Sequence, residues 1–215
     1  MKKIYIAENA NQILKHDLLE KGYKLELISS DNIVSLPIKN HPDIFLCRLG
    51  IGPKAPLVRA SAGELGMGYP DEAAFNGACT GKYFIHNLKI THPKLLSAAK
   101  NMGMTLIHTP QGYAKCSTVI LDERSIITYD RGIAKACSTI YDLDVLLVSP
   151  GHVLLPGYHT GFIGGCSGRI GNEVIFNGDL SAHPDFKEIR NFIEIRGLHC
   201  VWFKDYPLTD IGSIL

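Results

Sequence analysis

Six cysteines, at positions 47, 79, 116, 137, 166 and 200, are the side chains best able to do covalent chemistry in this chain of 215 residues. A thiol becomes a nucleophile where a neighbouring cation or proton acceptor favours its thiolate. Cys166 stands in the run Gly164-Gly165-Cys166-Ser167-Gly168, where glycines leave room for a ligand beside the sulfur, and it is the first candidate nucleophile. Cys116 follows Lys115 and is the second, although adjacent side chains on a strand face opposite sides. Cys79 reads as packing. His108, at the end of an apolar run, is the candidate acid/base, with His152 and His159 near the same presumed rim. Asp210 is the candidate acceptor for a cationic ligand, Asn76, Tyr113 and Lys115 offer further polar contacts, and Arg48 offers a clamp for an anion. Each has a plain structural reading beside the functional one. Glycines suit crowded backbones, an Asp caps turns, and Asn, Tyr and Lys satisfy buried polar groups.

Other chemistries find no pattern. No two cysteines are closer than the 21 residues from Cys116 to Cys137, so there is no C-x-x-C or tight Cys/His cluster, and neither a metal nor another cofactor is expected. The run Gly77-Ala78-Cys79-Thr80-Gly81-Lys82-Tyr83 is one residue short of a phosphate-binding loop and lacks its hydroxyl. Gly165-Cys166-Ser167-Gly168-Arg169 lacks the second glycine of a nucleophile elbow. With 22 Lys+Arg against 21 Asp+Glu the net charge is +1, which excludes a general nucleic-acid binder; a small polar ligand is the expected partner. The longest stretch free of Asp, Glu, Lys and Arg, from Val145 to Gly168, is broken by prolines and glycines and is no membrane helix. The first residues lack the apolar core of a secretory signal, so a cytoplasmic protein with free thiols is expected.

The elements that must position these residues are short. Lys3–Ala7 reads as a strand, Asn11–Lys21 as an amphipathic helix closed by Gly22, and Tyr23–Ile28 as a strand. Asp43–Leu49 reads as another strand, before a Gly/Pro-rich stretch to Pro70 that is either a lid or a degraded structural unit. Three β-β-α-β segments follow. Their first strands are 76–81, 115–120 and 164–168, and their second strands are 83–86, 125–129 and 173–177. Two of their helices open at His92-Pro93 and His183-Pro184, and the third lies near 132–141; third strands follow at 104–109, 144–149 and 198–203. The tail, 210–215, has the look of a first strand without its unit, and the N-terminus that of a unit without its first strand. Joined, they close a ring of five units within one domain, residues 1–215, with 42–70 as the irregular member. A plain doubly wound α/β sheet is the alternative.

Circular β-β-α-β units with glycine-rich first strands resemble the pentein fold, a five-bladed α/β propeller shared by guanidino-group-modifying enzymes and a non-catalytic ribosome anti-association factor. The runs Gly112-Tyr113-Ala114-Lys115-Cys116-Ser117-Thr118, Gly161–Gly168 and Pro207-Leu208-Thr209-Asp210-Ile211-Gly212 are similar to an uncharacterised bacterial family of that fold. The resemblance implies a thiol, a histidine and carboxylates converging on the axis around a guanidinium. The sequence departs from the enzymes where it matters. Tyr113 stands where their histidine precedes x-Lys, Cys166 stands where an acid follows Gly-Gly, and the tail has no cysteine. Binding of a small polar or guanidino ligand at the axis is therefore expected ahead of a Cys-dependent amidino C–N hydrolase or transferase. A non-catalytic scaffold for a macromolecule is the third reading.

Overall fold

The computed structural model describes residues 2–30, 33–52 and 54–215; Met1, Asp31, Asn32 and Pro53, the last within the Gly/Pro-rich stretch, lie outside it. Among the described residues the strands form five separate small sheets rather than one doubly wound sheet. In the first, β1 (Lys3–Ala7) and β2 (Lys24–Ile28) pair in parallel across helix α1 (Gln12–Glu20). The Asn11 side chain accepts from the Ile13 N–H and starts α1, Gly22 at φ 79° ends it, and Leu14 and Leu18 bury its inner face. Fully burying each such leucine stabilises the fold by about 1.5–3 kcal/mol.

The second unit corrects the expected strand over Asp43–Leu49. Pro42 at the first helical position and Asp43 in the first turn favour a short helix instead, α2 (Pro42–Phe45), and only β3 (Leu46–Arg48) is extended. It pairs antiparallel with β4 (Leu57–Arg59), so the Gly/Pro-rich stretch carries a strand of its own.

Three segments then fold alike. They are β5 (Ala78–Cys79), β6 (Tyr83–His86), α3 (Pro93–Asn101) and β7 (Thr105–His108); β8 (Thr118–Asp122), β9 (Ser125–Thr128), α4 (Arg131–Cys137) and β10 (Asp144–Leu147); and β11 (Ser167–Ile170), β12 (Glu173–Phe176), α5 (Phe186–Glu194) and β13 (His199–Val201). In each, the first strand is antiparallel to the middle one and the third, reached through the helix, is parallel to it. Helix α5 opens at Phe186, not at Pro184, because His183 closes the preceding 3-10 turn and Asp185 becomes the N-cap. Cys116 and Cys166 fall just before β8 and β11, in turns closed by Thr118 N–H to Lys115 O and Ser167 N–H to Gly164 O.

The tail lies between the last sheet and the first. Leu215 exchanges both backbone hydrogen bonds with Tyr5, and Ile214 N–H donates to Ser167 O. The core is a succession of apolar clusters, each shared by neighbouring units: Cys47 with Phe84, Ile85 with Ile126, Val119 with Phe176, Ile175 with Ile4. Among the described residues no helix is long and apolar enough to cross a membrane.

Candidate functional site

Four chain segments meet at one buried place: the start of α2, Asn76, the turn 113–118 and the tail. Asn76 is fully buried and links two of them. Its Oδ1 accepts from the N–H groups of Lys115 and Cys116, at 2.9 and 3.1 Å, while its Nδ2 donates to Asp43 O at 3.0 Å and to Cys116 Sγ at 3.2 Å. The Cys116 thiol in turn donates to Oδ2 of Asp43 at 3.1 Å. The same oxygen receives the Ser213 hydroxyl at 2.6 Å, and Ser213 Oγ accepts from Lys115 Nζ at 2.8 Å. A continuous hydrogen-bonded chain therefore runs Lys115, Ser213, Asp43, Cys116, Asn76. Ser213 holds its place at φ 72°, a left-handed conformation that strains a non-glycine residue by about 1–3 kcal/mol.

The tail is pressed against the other segments so tightly that only glycine fits. A Cβ on Gly212 would lie 2.1 Å from that of His41, and one on Gly165 would lie 2.0 Å from Oδ1 of Asp210. Asp210 is consequently fixed. Its two oxygens accept from the N–H groups of Gly212 and Phe162, at 2.9 Å each, and Oδ1 stands 3.8 Å from Nδ1 of His41.

Above Cys116 opens a cavity of about 380 Å³. His41, Cys116, Asp210 and Glu72 face it, between walls made by Tyr69, Tyr113, Tyr158, Phe162, Ile44 and Leu155. Glu72 is held by four donors, the N–H and hydroxyl of Ser35, the Gly68 N–H and the Tyr113 hydroxyl. Burial opposes its ionisation, but these donors, Tyr113 foremost, outweigh it and keep the carboxyl below the usual glutamate range. Burial raises Asp210 to about 6, the Gly212 and Phe162 N–H groups limiting the rise, so it too is ionised at neutral pH. Burial lowers His41 to about 4, leaving a neutral imidazole. Burial, then the Asp43 charge, pushes Cys116 well above the ordinary thiol value, so the resting sulfur is protonated. Burial also raises Asp43 and lowers Lys115, which draws the pair toward its neutral form. The cavity thus presents two carboxylates, a thiol and aromatic faces, while Lys115 Nζ is engaged beneath it by Ser213 Oγ and Gly164 O.

The predicted residues divide. Cys116, Asp210 and Tyr113 line the cavity, with Asn76 and Lys115 directly beneath. Cys166 does not line it; it is fully buried among Val119, Ile163 and Phe176, its thiol donating to Ile163 O at 3.1 Å. His108 is exposed at the end of β7, where its Nδ1 accepts from Leu88 N–H. Arg48 lines a separate crevice of about 50 Å³ with Arg169, Cys79 and the other side of Lys115. All six cysteines are free. His41, Asp43, Glu72 and Ser213 were not singled out from the sequence as site residues. The run His41-Pro42-Asp43 is shared with His183-Pro184-Asp185 and so marks no site by itself, and Glu72 and Ser213 carry no local motif.

Residues 57–215 match the model of a family of unknown function, DUF6873, and the chain belongs to that family. Its mixed α/β fold is like that of SxtG, an amidinotransferase from Microseira wollei in the saxitoxin biosynthetic pathway. The two superpose with a TM-score of 0.52 over 95% of this chain and 88% of that one, at 9% identity, a likeness of fold alone. No curated protein matches the sequence.

Proposed function

We propose that this member of DUF6873 is a single pentein-like domain over residues 1–215, a closed five-bladed α/β propeller, that binds a small planar organic cation bearing a guanidino or amidino group in the axial cavity. The five sheets, the apolar clusters shared from unit to unit and the tail bonded to both β1 and β11 support the ring. One observation carries the ligand class: the carboxylates of Glu72 and Asp210 face the same aromatic-walled cavity. Fixed carboxylates match the in-plane N–H groups of a guanidinium, and aromatic faces favour a flat, weakly hydrated cation over a compact ammonium.

The position of Cys116 supports a second, catalytic reading. Its residue lines the ligand space and its thiol is hydrogen-bonded to Asp43, so in the ionised form of that carboxyl, attack on an amidino carbon passes the thiol proton to Asp43 as the S–C bond forms. The C–N bond then breaks as Asp43 returns that proton to the leaving amine, and water or a second amine displaces the sulfur, breaking the S–C bond and giving up a proton that restores the thiol. A protonated resting thiol ranks this behind binding.

Calorimetric titration with methylguanidinium, methylammonium and methylurea tests the ligand class. One-to-one binding of methylguanidinium, at least tenfold tighter than either of the others, is expected. Equal affinity for all three, or none, contradicts the assignment.

A further inference from the structure

The floor of the cavity has the make-up of a metal site, on grounds separate from the cation reading. His41, Asp43 and Cys116 each offer one ligand atom, and these atoms all lie within 4.8 Å of one another. The residues come from segments 73 positions apart, Asp43 to Cys116, so no sequence spacing advertises them. Imidazole nitrogen, carboxylate oxygen and sulfur together suit zinc and its neighbours, not calcium or magnesium, which take oxygen alone.

Two further observations point to a ligand there. Among the described residues, Nδ1 of His41 and Oδ1 of Asp43 have no hydrogen-bond partner, and they are buried in residues only 4% and 0% exposed. Such orphaned atoms are rare in a folded interior and call for an occupant. The donors are also held from behind as metal ligands are: Asn76 Nδ2 bonds Cys116 Sγ, and the Ser213 hydroxyl bonds Asp43 Oδ2. On the opposite side, His41 and Cys116 open to the cavity, which leaves a fourth position for a water or an incoming ligand.

We infer that His41, Asp43 and Cys116 form a three-ligand site for a thiophilic divalent cation of the zinc class, open to the axial cavity. On binding, the Cys116 S–H bond gives way to a sulfur–metal bond, the proton leaves to solvent, and no electron is transferred. Metal and thiol chemistry then exclude one another, so metal occupancy silences Cys116.

The full chain, freed of metal by a chelator and titrated with cobalt(II), tests this. The expected result is saturation at one cobalt per chain, with a thiolate-to-cobalt charge-transfer band that zinc abolishes by displacement. Cys116→Ser removes the band and Asp43→Asn weakens cobalt binding at least tenfold, while Cys200→Ser, at a half-buried cysteine outside the site, changes neither; circular dichroism checks the fold of each. In the unaltered chain, one equivalent of zinc slows alkylation of Cys116 at least tenfold and of Cys200 not at all, a readout that needs no variant. No band in the folded protein, a band that survives Cys116→Ser, or equal protection of both cysteines overturns the site. Methylguanidinium binding is measured on the metal-free protein, so failure of either proposal leaves the other standing.

Discussion

The Cys116 thiol donates to the Asp43 carboxylate at 3.1 Å, a contact between a turn before β8 and the first turn of α2 that neither segment makes alone. Asn76 holds the two together through four hydrogen bonds, three of them buried. Asn76→Ala leaves the partners of those bonds unsatisfied in the interior, at about 1–3 kcal/mol for each group that finds no replacement. The expected loss is about 3 kcal/mol or more of unfolding free energy, read from urea denaturation. A loss below about 1 kcal/mol would show that Asn76 does not organise the site.

Gly165 is where the tail and the turn before β11 approach most closely, Asp210 Oδ1 lying where a Cβ would stand. Gly165→Ala therefore displaces the Asp210 carboxylate and costs about 3 kcal/mol, the upper end for an overpacked site. Thermal melts measure the cost. Unchanged stability together with unchanged methylguanidinium affinity would mean that Asp210 is free to move, contrary to the fixed geometry described above.

Cys166 and Glu72 make opposite predictions. Cys166→Ala removes a sulfur from a sealed apolar cluster, so it lowers stability by about 1 kcal/mol and leaves ligand binding as it was. Glu72→Gln keeps the shape of the cavity and removes a charge, and methylguanidinium affinity should fall about tenfold, or about 1.4 kcal/mol. Loss of binding in Cys166→Ala with retention in Glu72→Gln would reverse the assignment.

Acid should unfold the protein partly through His86. This imidazole is buried between Thr91 Oγ1 and Gly112 O, at 2.7 Å each, and burial lowers its pKa to about 4. The unfolded chain titrates at about 6.5 and so binds the proton more readily than the native protein at every pH between. The contribution is full above pH 6.5 and falls by up to about 3 kcal/mol as the pH drops to 4. Urea denaturation at pH 7 and pH 4.5, compared between the native chain and His86→Gln, isolates it. The variant should lose less stability than the native chain over that interval; an equal loss contradicts the prediction.

Local patterns announced the local structure. Asn11 and Gly22 bracket α1 as a capping residue and a left-handed terminator should, and the apolar run at Tyr83–His86 is a strand. Tertiary packing decided the rest. Helix α2 is a single turn, too short for any periodicity, and the extended reading of 43–49 missed it. Cys116 and Cys166 both precede a first strand in a tight turn, yet one faces the cavity and the other the core, a choice made by packing between units. The glycines beside Cys166 leave space for chain, not ligand: a Cβ on Gly164 would lie 2.4 Å from Lys115 O. The twin His-Pro-Asp runs diverge for the same reason. The tail pins Asp43 inward, its N–H donating to Gly212 O, whereas Asp185 receives the N–H of Ser149.

Competitive labelling of the native, metal-free protein tests the planar-cation cavity beside Cys116 most directly. It would be treated at neutral pH with chloroacetamidine, a cationic thiol reagent shaped like a guanidinium, and in parallel with neutral iodoacetamide, and the labelled cysteines mapped by mass spectrometry. The amidine should modify Cys116 selectively and stoichiometrically, methylguanidinium should slow it, and iodoacetamide should show no such preference. Slow labelling at equal rates by both reagents, or amidine labelling centred on another cysteine, would contradict a cation-binding cavity at Cys116.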